Sequence, residues 1–245
     1  LKAEERKKAE IDSLQYGTLT HYLLERFLRE YKKTDFASLS NEDIAKIISQ
    51  YLNDYAVEEL GGIDNKPARF KYLFHRIQDN AIKLLIHIIK ELSQSEFVPT
   101  AFELNVGKDI PAYNLTLDDG SSLSVRGSVD RVDVMDKNGE KYIRVIDYKT
   151  GSKTFKIGDI MYGLNLQMLI YLSAIKANGK DYFGDNIVPC GVLYQPAKAK
   201  FVSSDDKNDS EKNLNEFDKN LRMNGIILNN DSVIIGMDST EKAKY

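Results

Sequence analysis

Two runs of alternating residues, Leu123–Met135 and Lys141–Lys149, are separated by the turn signal Asp136-Lys137-Asn138-Gly139. This hairpin limits the fold more than any other stretch. Strand side chains alternate faces with period two, and the turn ties both alternations to one register. In the second strand Ile143, Val145, Asp147 and Lys149 share one face, while Tyr142, Arg144, Ile146 and Tyr148 share the other. An acid and an ammonium beside Ile143 and Val145 are costly to desolvate unless they pair or bind something. Taken alone, Asp147 and Lys149 read as an ion pair at a frayed strand end. The first strand alters that balance. Asp130 shares the face of Val132 and Val134, and a turn pairing Met135 with Glu140 sets position 130 opposite position 145. Asp130 is then a diagonal neighbour of Asp147, about 7–8 Å away at the backbone, a span two carboxylates close around one cation. Hard oxygen donors with an open coordination shell suit Mg²⁺ or Mn²⁺. Gly127 leaves room for a strand or a phosphate to approach.

The rest of the chain surrounds the hairpin with an α/β layout. Up to about residue 94 the apolar period is helical. A first helix, capped by Thr18 or Thr20, carries Leu19, Leu23, Leu24, Phe27 and Leu28. A second starts near Ser40 with Asp43 in an acidic version of a capping box, and it ends at Gly61-Gly62. A third runs from about Pro67 to Leu92. Beyond Pro99 the period becomes two, with strands at Phe97–Val106 and Tyr113–Leu117 ahead of the hairpin. Asp159–Ala177 reads as a crossing helix and Ile187–Gln195 as a buried strand. The tail is polar after Phe201, helical through Arg222, and ends in an Ile/Val-rich strand pair around Gly225–Ile235. The expected organisation is one domain: a helical section (1–94), a mixed sheet with its crossing helix (95–200) and a C-terminal extension (201–245).

Composition excludes several classes. The longest apolar run, Leu84-Leu85-Ile86, is broken by His87 and falls far short of the roughly 20 residues of a membrane helix. Cys190 is the one cysteine, which rules out an internal disulfide and fits a reducing compartment; the expected location is the cytoplasm. The first ten residues are charged and carry no secretory signal, and an opening at Leu1 reads as a piece of a longer chain. The formal net charge is -3. Tight non-specific grip on nucleic acid comes from Lys and Arg neutralising phosphates, so such a chain needs a local basic channel or a partner to hold DNA.

Gly127-Ser128-Val129-Asp130, followed by Val145-Ile146-Asp147-Tyr148-Lys149, resembles the split acid…acid-x-Lys signature of PD-(D/E)XK nucleases. Three further matches are similar to the RecB-like branch of that superfamily. They are Gly17-Thr18-Leu19-Thr20-His21 on the first helix, Glu103 in Phe102-Glu103-Leu104-Asn105, and Gln167-Met168-Leu169-Ile170-Tyr171 on the helix after the lysine. Each is weak alone, but five in order on suitable elements are specific. Within the branch, Ile11–His21 and Gly163–Gln167 resemble the C-terminal nuclease domains of AddB-type subunits of bacterial helicase–nucleases.

The resemblance implies a restriction-endonuclease-like mixed sheet flanked by helices. It implies a Mg²⁺-dependent deoxyribonuclease, with Mn²⁺ able to substitute, acting on single-stranded DNA ends made by a helicase during double-strand-break repair and recombination. The partner it implies is an AddA-type helicase–nuclease subunit in a heterodimer, and the setting has no membrane. Asp130 and Asp147 would be metal ligands, joined by the His21 imidazole and the Tyr148 carbonyl. Lys149 would orient the attacking water and neutralise developing charge, and Glu103 would hydrogen-bond a metal-bound water or contribute to a second metal position. Gln167 and Tyr171, four apart and so on one helical face, would contact phosphate or Lys149, while Leu164, Met168, Leu172 and Ile175 form a separate core face. Arg126 shares the face of Asp130 and is a phosphate-binding candidate, though an ion pair with Glu103 looks the same from sequence; Arg131 is a second, weaker candidate. His75, His87 and Cys190 read as structural. AddB-type domains usually carry an iron–sulfur cluster on four cysteines, which this chain lacks. That departure fits truncation outside the core or a cluster-free relative. Two alternatives stay open: a stand-alone exonuclease of the RecB-like branch, and a catalytically silent DNA-binding scaffold of the same fold.

Overall fold

The computed structural model describes residues 13–151, 155–198 and 218–240. Helix α1 (Ser13–Glu30) starts earlier than its threonines suggest. Thr20 is buried inside it, and its hydroxyl donates to the Tyr16 carbonyl one turn back (2.9 Å), so neither threonine is a cap. Helix α2 (Asn41–Leu60) begins at the expected box: the Asp43 amide donates to Ser40 Oγ (3.1 Å) while the Asp43 carboxylate accepts from the Ser40 amide (3.1 Å). It stops where Gly61 turns left-handed at φ 65°. Helix α3 (Ala68–Gln94) buries Phe74, Ile77, Ala81, Leu84, Leu85, Ile88 and Leu92. The three helices share one core with Phe102, Ile146, Tyr148 and Leu193 from one face of the sheet.

The sheet consists of β1 (Val98–Val106), β4 (Gly127–Lys137), β5 (Glu140–Lys149), β6 (Ile187–Pro196) and β7 (Asn224–Ile227), in the order β1-β4-β5-β6-β7. β5 and β6 are parallel and the other neighbours antiparallel, so the sheet is mixed as expected. The predicted strand Leu123–Met135 is two strands. Its first part, β3 (Ser122–Val125), pairs with β2 (Tyr113–Thr116) in a separate ribbon.

The crossing helix is also divided. α4 (Ile157–Met161) and α5 (Gln167–Asn178) are split by a turn in which Gly163 (φ 75°) and Asn165 (φ 57°) are left-handed, a conformation no helix continues through. Leu164 falls in that turn and is exposed, which removes it from the predicted core face; Met168, Leu172 and Ile175 are buried as expected. α5 packs on the second face of the sheet, against Val132, Ile143, Val145 and Val192. A short helix α6 (Lys180–Phe183) leads into β6. The Ile/Val-rich tail is an edge strand followed by helix α7 (Asp231–Met237) rather than a strand pair. Asn230 caps α7 by accepting from the Ser232 amide (2.9 Å), a local bond the apolar pattern does not reveal. The charged lead-in and the polar tail after Phe201 lie outside the described residues. Cys190 is buried, and no helix among the described residues is long and apolar enough to cross a membrane.

Candidate active site

The hairpin turn is tighter than the four polar residues of its sequence suggest. Lys137 pairs with Glu140, leaving a two-residue turn of Asn138 (φ 55°) and Gly139 (φ 78°). Positive φ at both positions is the geometry that matches strand twist, and Asn-Gly adopts it readily. The register therefore moves by two from the Met135–Glu140 pairing, which preserves which residues share a face. The ladder ends at Arg131↔Ile146, and Asp130 and Asp147 lie one step beyond it, on the side where the shifted register turns the expected diagonal towards direct opposition. On the other side, Phe102↔Arg131 and Leu104↔Val129 bracket Glu103 and Asp130. Three acids thus stand at one level of three adjacent strands.

Regular structure ends at that level. Glu103 has φ 47°, a strained value for a residue with a Cβ. Val129 and Val132 both join the core beneath α5, so the alternation of β4 slips at Asp130. The Tyr148 amide donates to Asp130 Oδ2 (2.7 Å). Past this point β4 stays with β1 as far as Val106↔Gly127, and β5 stays with β6 as far as Lys149↔Pro196. The acids line the opening between the two pairs.

α1 delivers the histidine. With Leu23, Leu24 and Phe27 fully buried, His21 is held against the end of β5. Its Nε2 lies 3.3 Å from the Tyr148 carbonyl, and its Nδ1 lies 3.7 Å from both Glu103 Oε1 and Asp130 Oδ2. The side-chain donors of His21, Glu103 and Asp130 lie within 4.8 Å of one another. Ser128 fixes the acid on β1 by donating to Glu103 Oε2 (3.0 Å). Burial pushes the Asp130 carboxyl up to about 6; His21 opposes that rise, and Asp147 and Glu103 add to it. Burial alone would lower the His21 imidazolium, but Glu103 and Asp130 outweigh it and the pKa moves up. Glu103 moves down, chiefly through its contact with His21. Asp147 is turned to Lys149, whose ammonium forms an ion pair with Asp147 Oδ2; that buried oxygen accepts no hydrogen bond among the described residues. The gathered donor set is therefore His21, Glu103 and Asp130. Asp147 stands beside it on the lysine, and the Tyr148 carbonyl is engaged by the imidazole.

The family model of the PD-(D/E)XK nuclease superfamily matches residues 1–230. The chain belongs to that superfamily. Among curated relatives, the B subunit of the ATP-dependent helicase/deoxyribonuclease of Clostridium novyi (strain NT) is 34% identical over 242 residues, covering 97% of this chain and 21% of the relative. The proteins of the same description from Clostridium tetani (strain Massachusetts / E88) and Clostridioides difficile (strain 630) are each 30% identical, and each alignment covers 98% of this chain and 21% of the relative. The chain thus spans about one fifth of the length of these relatives, a share of 21%.

The outer residues of this PD-(D/E)XK chain divide. Gln167 is exposed at the start of α5, and its amide donates to the Tyr171 hydroxyl (3.1 Å). Tyr171 itself is only 5% exposed and belongs to the core, which leaves it no free surface to offer a phosphate. Its hydroxyl rests on Gly127: a Cβ there would come within 1.8 Å of it. The close approach that Gly127 permits is therefore made by Tyr171. Arg126 is exposed just before β4 and its side chain packs along Gly107, while Glu103 is held by Ser128 and His21 rather than by Arg126.

Arg131 does not reach solvent. It and Arg144 close on the fully buried Asp133, at 2.8 Å from Arg131 Nε to Oδ1 and 2.8 Å from Arg144 to Oδ2. Arg131 also donates to the Tyr148 hydroxyl (3.0 Å). Period two alone puts Arg131 and Asp133 on one face of β4, but Arg144 joins them only through the register Asp133↔Arg144 with β5. His87 is buried on α3, 3.6 Å from Asp218, and His75 is exposed on the same helix.

Proposed function

We propose that this chain is the divalent-metal-dependent deoxyribonuclease part of the AddB component of an AddAB-type helicase–nuclease. In this reading it cleaves single-stranded DNA ends delivered by a helicase during double-strand-break repair and recombination, in the cytoplasm and beside an AddA-type partner. One observation carries the proposal: His21, Glu103 and Asp130 converge within 4.8 Å immediately beside the Asp147–Lys149 pair.

The residues fit a divalent cation. A neutral imidazole that donates Nε2–H to the Tyr148 carbonyl presents the Nδ1 lone pair to two carboxylates 3.7 Å away. Acceptors facing acceptors repel unless a cation or a proton lies between them, and a bond from the far ring nitrogen to a carbonyl is how metal-ligating histidines are oriented. Three carboxylates share one level with a single ammonium, so negative charge is in excess. The oxygen-rich set with one imidazole suits Mg²⁺, with Mn²⁺ more tolerant of the nitrogen donor. His21, Glu103 and Asp130 would hold the ion, with Asp147 adjacent. When bound, it supplies Lewis-acid polarisation of a phosphoryl oxygen.

The remaining work falls to the protein's own groups. Lys149, held by Asp147, sets an ammonium where negative charge grows on the attacked phosphodiester. The Tyr148 amide fixes the Asp130 carboxylate, and its carbonyl fixes the tautomer of His21. Side-chain exposure of 28% at Lys149 and 39% at Glu103 leaves the pocket open to a phosphate. An iron–sulfur cluster finds no ligand set here. The one cysteine, Cys190, is buried in β6, and burial pushes its thiol up to about 12.

Cleavage of a labelled single-stranded oligonucleotide at millimolar Mg²⁺ or Mn²⁺ tests the reading. Asp147→Ala and Lys149→Ala should each lower the rate by about a hundredfold to a thousandfold, the scale for removing one charge-stabilising group, while circular dichroism stays unchanged. A folded wild-type chain that cleaves no DNA with either metal would overturn it.

A further inference from the structure

Four large apolar side chains stand in solvent within eight residues of the segment after the active lysine: Ile157 (69% exposed), Met161 (82%), Tyr162 (86%) and Leu164 (57%). Met161 and Tyr162 are the two most exposed large hydrophobics among the described residues. Grouped exposure of this kind costs hydration free energy and marks a contact surface.

The segment is a built turn. Leu164 donates its amide to the Asp159 carbonyl (2.8 Å), Asn165 donates its side-chain amide to Asp159 Oδ2 (2.9 Å), and the left-handed Gly163 and Asn165 close the loop. Both of its ends are fastened to the site. At the first end, the Phe155 amide donates to Asn224 Oδ1 (2.7 Å) and its ring lies 5.9 Å from that of Tyr194. The Tyr194 ring in turn has the Lys149 ammonium 5.2 Å from its centre. At the second end, Gln167 bonds Tyr171, whose hydroxyl seats on Gly127, three residues before Asp130. The apolar turn is therefore anchored on one side to β6 and β7, through the Tyr194 ring that Lys149 approaches, and on the other to α5, whose Tyr171 seats on the strand bearing Asp130.

We infer that Met161 and Tyr162 form a ledge on which nucleobases of single-stranded DNA stack as the strand passes the Asp147–Lys149 pocket. This rests on the deoxyribonuclease reading and names how the substrate is gripped. A strand whose phosphate reaches Lys149 must continue past the rim, and unpaired bases offer flat apolar faces there. Position favours this occupant: Phe155 contacts the Tyr194 ring that the Lys149 ammonium approaches, and Gln167 contacts the Tyr171 seated before Asp130. A chain of net charge -3 relies on a local basic channel or a partner for phosphate grip, and a contact independent of charge adds to either. Stacking on an aromatic ring is such a contribution and tolerates any sequence.

Fluorescence anisotropy with an ordinary single-stranded oligonucleotide, and with one whose central nucleotides are abasic, tests the ledge without relying on cleavage. Tyr162→Ala should weaken binding of the ordinary strand by about tenfold. Tyr162→Phe should keep it. The abasic strand should bind wild type weakly and lose little more on Tyr162→Ala. The ledge is overturned if Tyr162→Ala and Met161→Ala leave the ordinary strand's affinity unchanged, or if both strands weaken equally. It is overturned equally if these variants alter only self-association or binding to another protein. Absence of cleavage by wild type, with stacking intact, would count against the nuclease reading alone.

Discussion

Two charged clusters meet on β4 and β5, one residue apart, the second also drawing Glu103 from β1. Arg131, Asp133 and Arg144 occupy the face under the helical section, and Glu103, Asp130, Asp147 and Lys149 gather where β4 and β5 part. In the first, Asp133 is fully buried and both its oxygens are bonded by guanidinium groups. In the second, three carboxylates meet one ammonium, the side chains keep 15% to 39% exposure, and a strained Glu103 and a slipped Asp130 interrupt the sheet. Buried charge whose hydrogen bonds are met holds a structure together; carboxylates in excess and partly wet leave room for a cation. Lysine and acids near a strand end do not distinguish the two cases. Saturation of their hydrogen bonds does.

The sharpest way to break the comparison is to remove one acid from each cluster. Asp133→Ala leaves two buried guanidinium groups without their carboxylate and should cost about 3–5 kcal/mol of stability, read from urea melts. Asp130→Asn should cost little or even stabilise the metal-free chain at neutral pH, since Asn still accepts from the Tyr148 amide. The sign follows from linkage. A carboxyl whose folded value rises from 3.8 to about 6 holds its proton longer when folded, so its contribution to stability is complete below about pH 4 and is lost as pH rises through about 6. The metal-free wild type should therefore melt higher at pH 5.5 than at pH 7.5, and Asp130→Asn should flatten part of that slope. Equal losses for the two substitutions would erase the distinction.

A smaller effect sharpens it at the edge of the open cluster. Gly127→Ala drives a methyl into the Tyr171 hydroxyl and must displace the ring or the strand. Overpacking of this kind costs about 1–3 kcal/mol. Because Gly127 leads directly into Asp130, kcat should fall while KM for DNA changes little. A drop in stability with kcat intact would make Gly127 purely structural.

Much of this is readable from the chain, for reasons that can be named. The face shared by Asp147 and Lys149 follows from period two alone, and it survives a register error of two because an even shift preserves faces. The capping box at Ser40 and the stop at Gly61 are local chemistry and read directly. What sequence misses is non-local or depends on φ. Gly163 and Asn165 break a helix that the apolar spacing runs straight through, and Leu164 leaves the core with them. Asn138-Gly139 tightens a turn that four polar residues make look longer. Arg131 looks free because its burial depends on non-local packing, although Asp133 lies two residues along its own strand and Arg144 faces them from β5. Tyr171 looks like a surface group because its seat, Gly127, is remote in the sequence.

A cation held in the open cluster would rest on His21 and Asp130, and calorimetric titration of the chain with Mn²⁺ at pH 7.5 reads out its binding. Saturable binding should appear in the wild type and be lost in His21→Ala and Asp130→Asn, while Arg126→Ala binds as the wild type does. Wild-type protein that takes up no Mn²⁺, or variants at His21 and Asp130 that bind it as well as the wild type, would contradict the account.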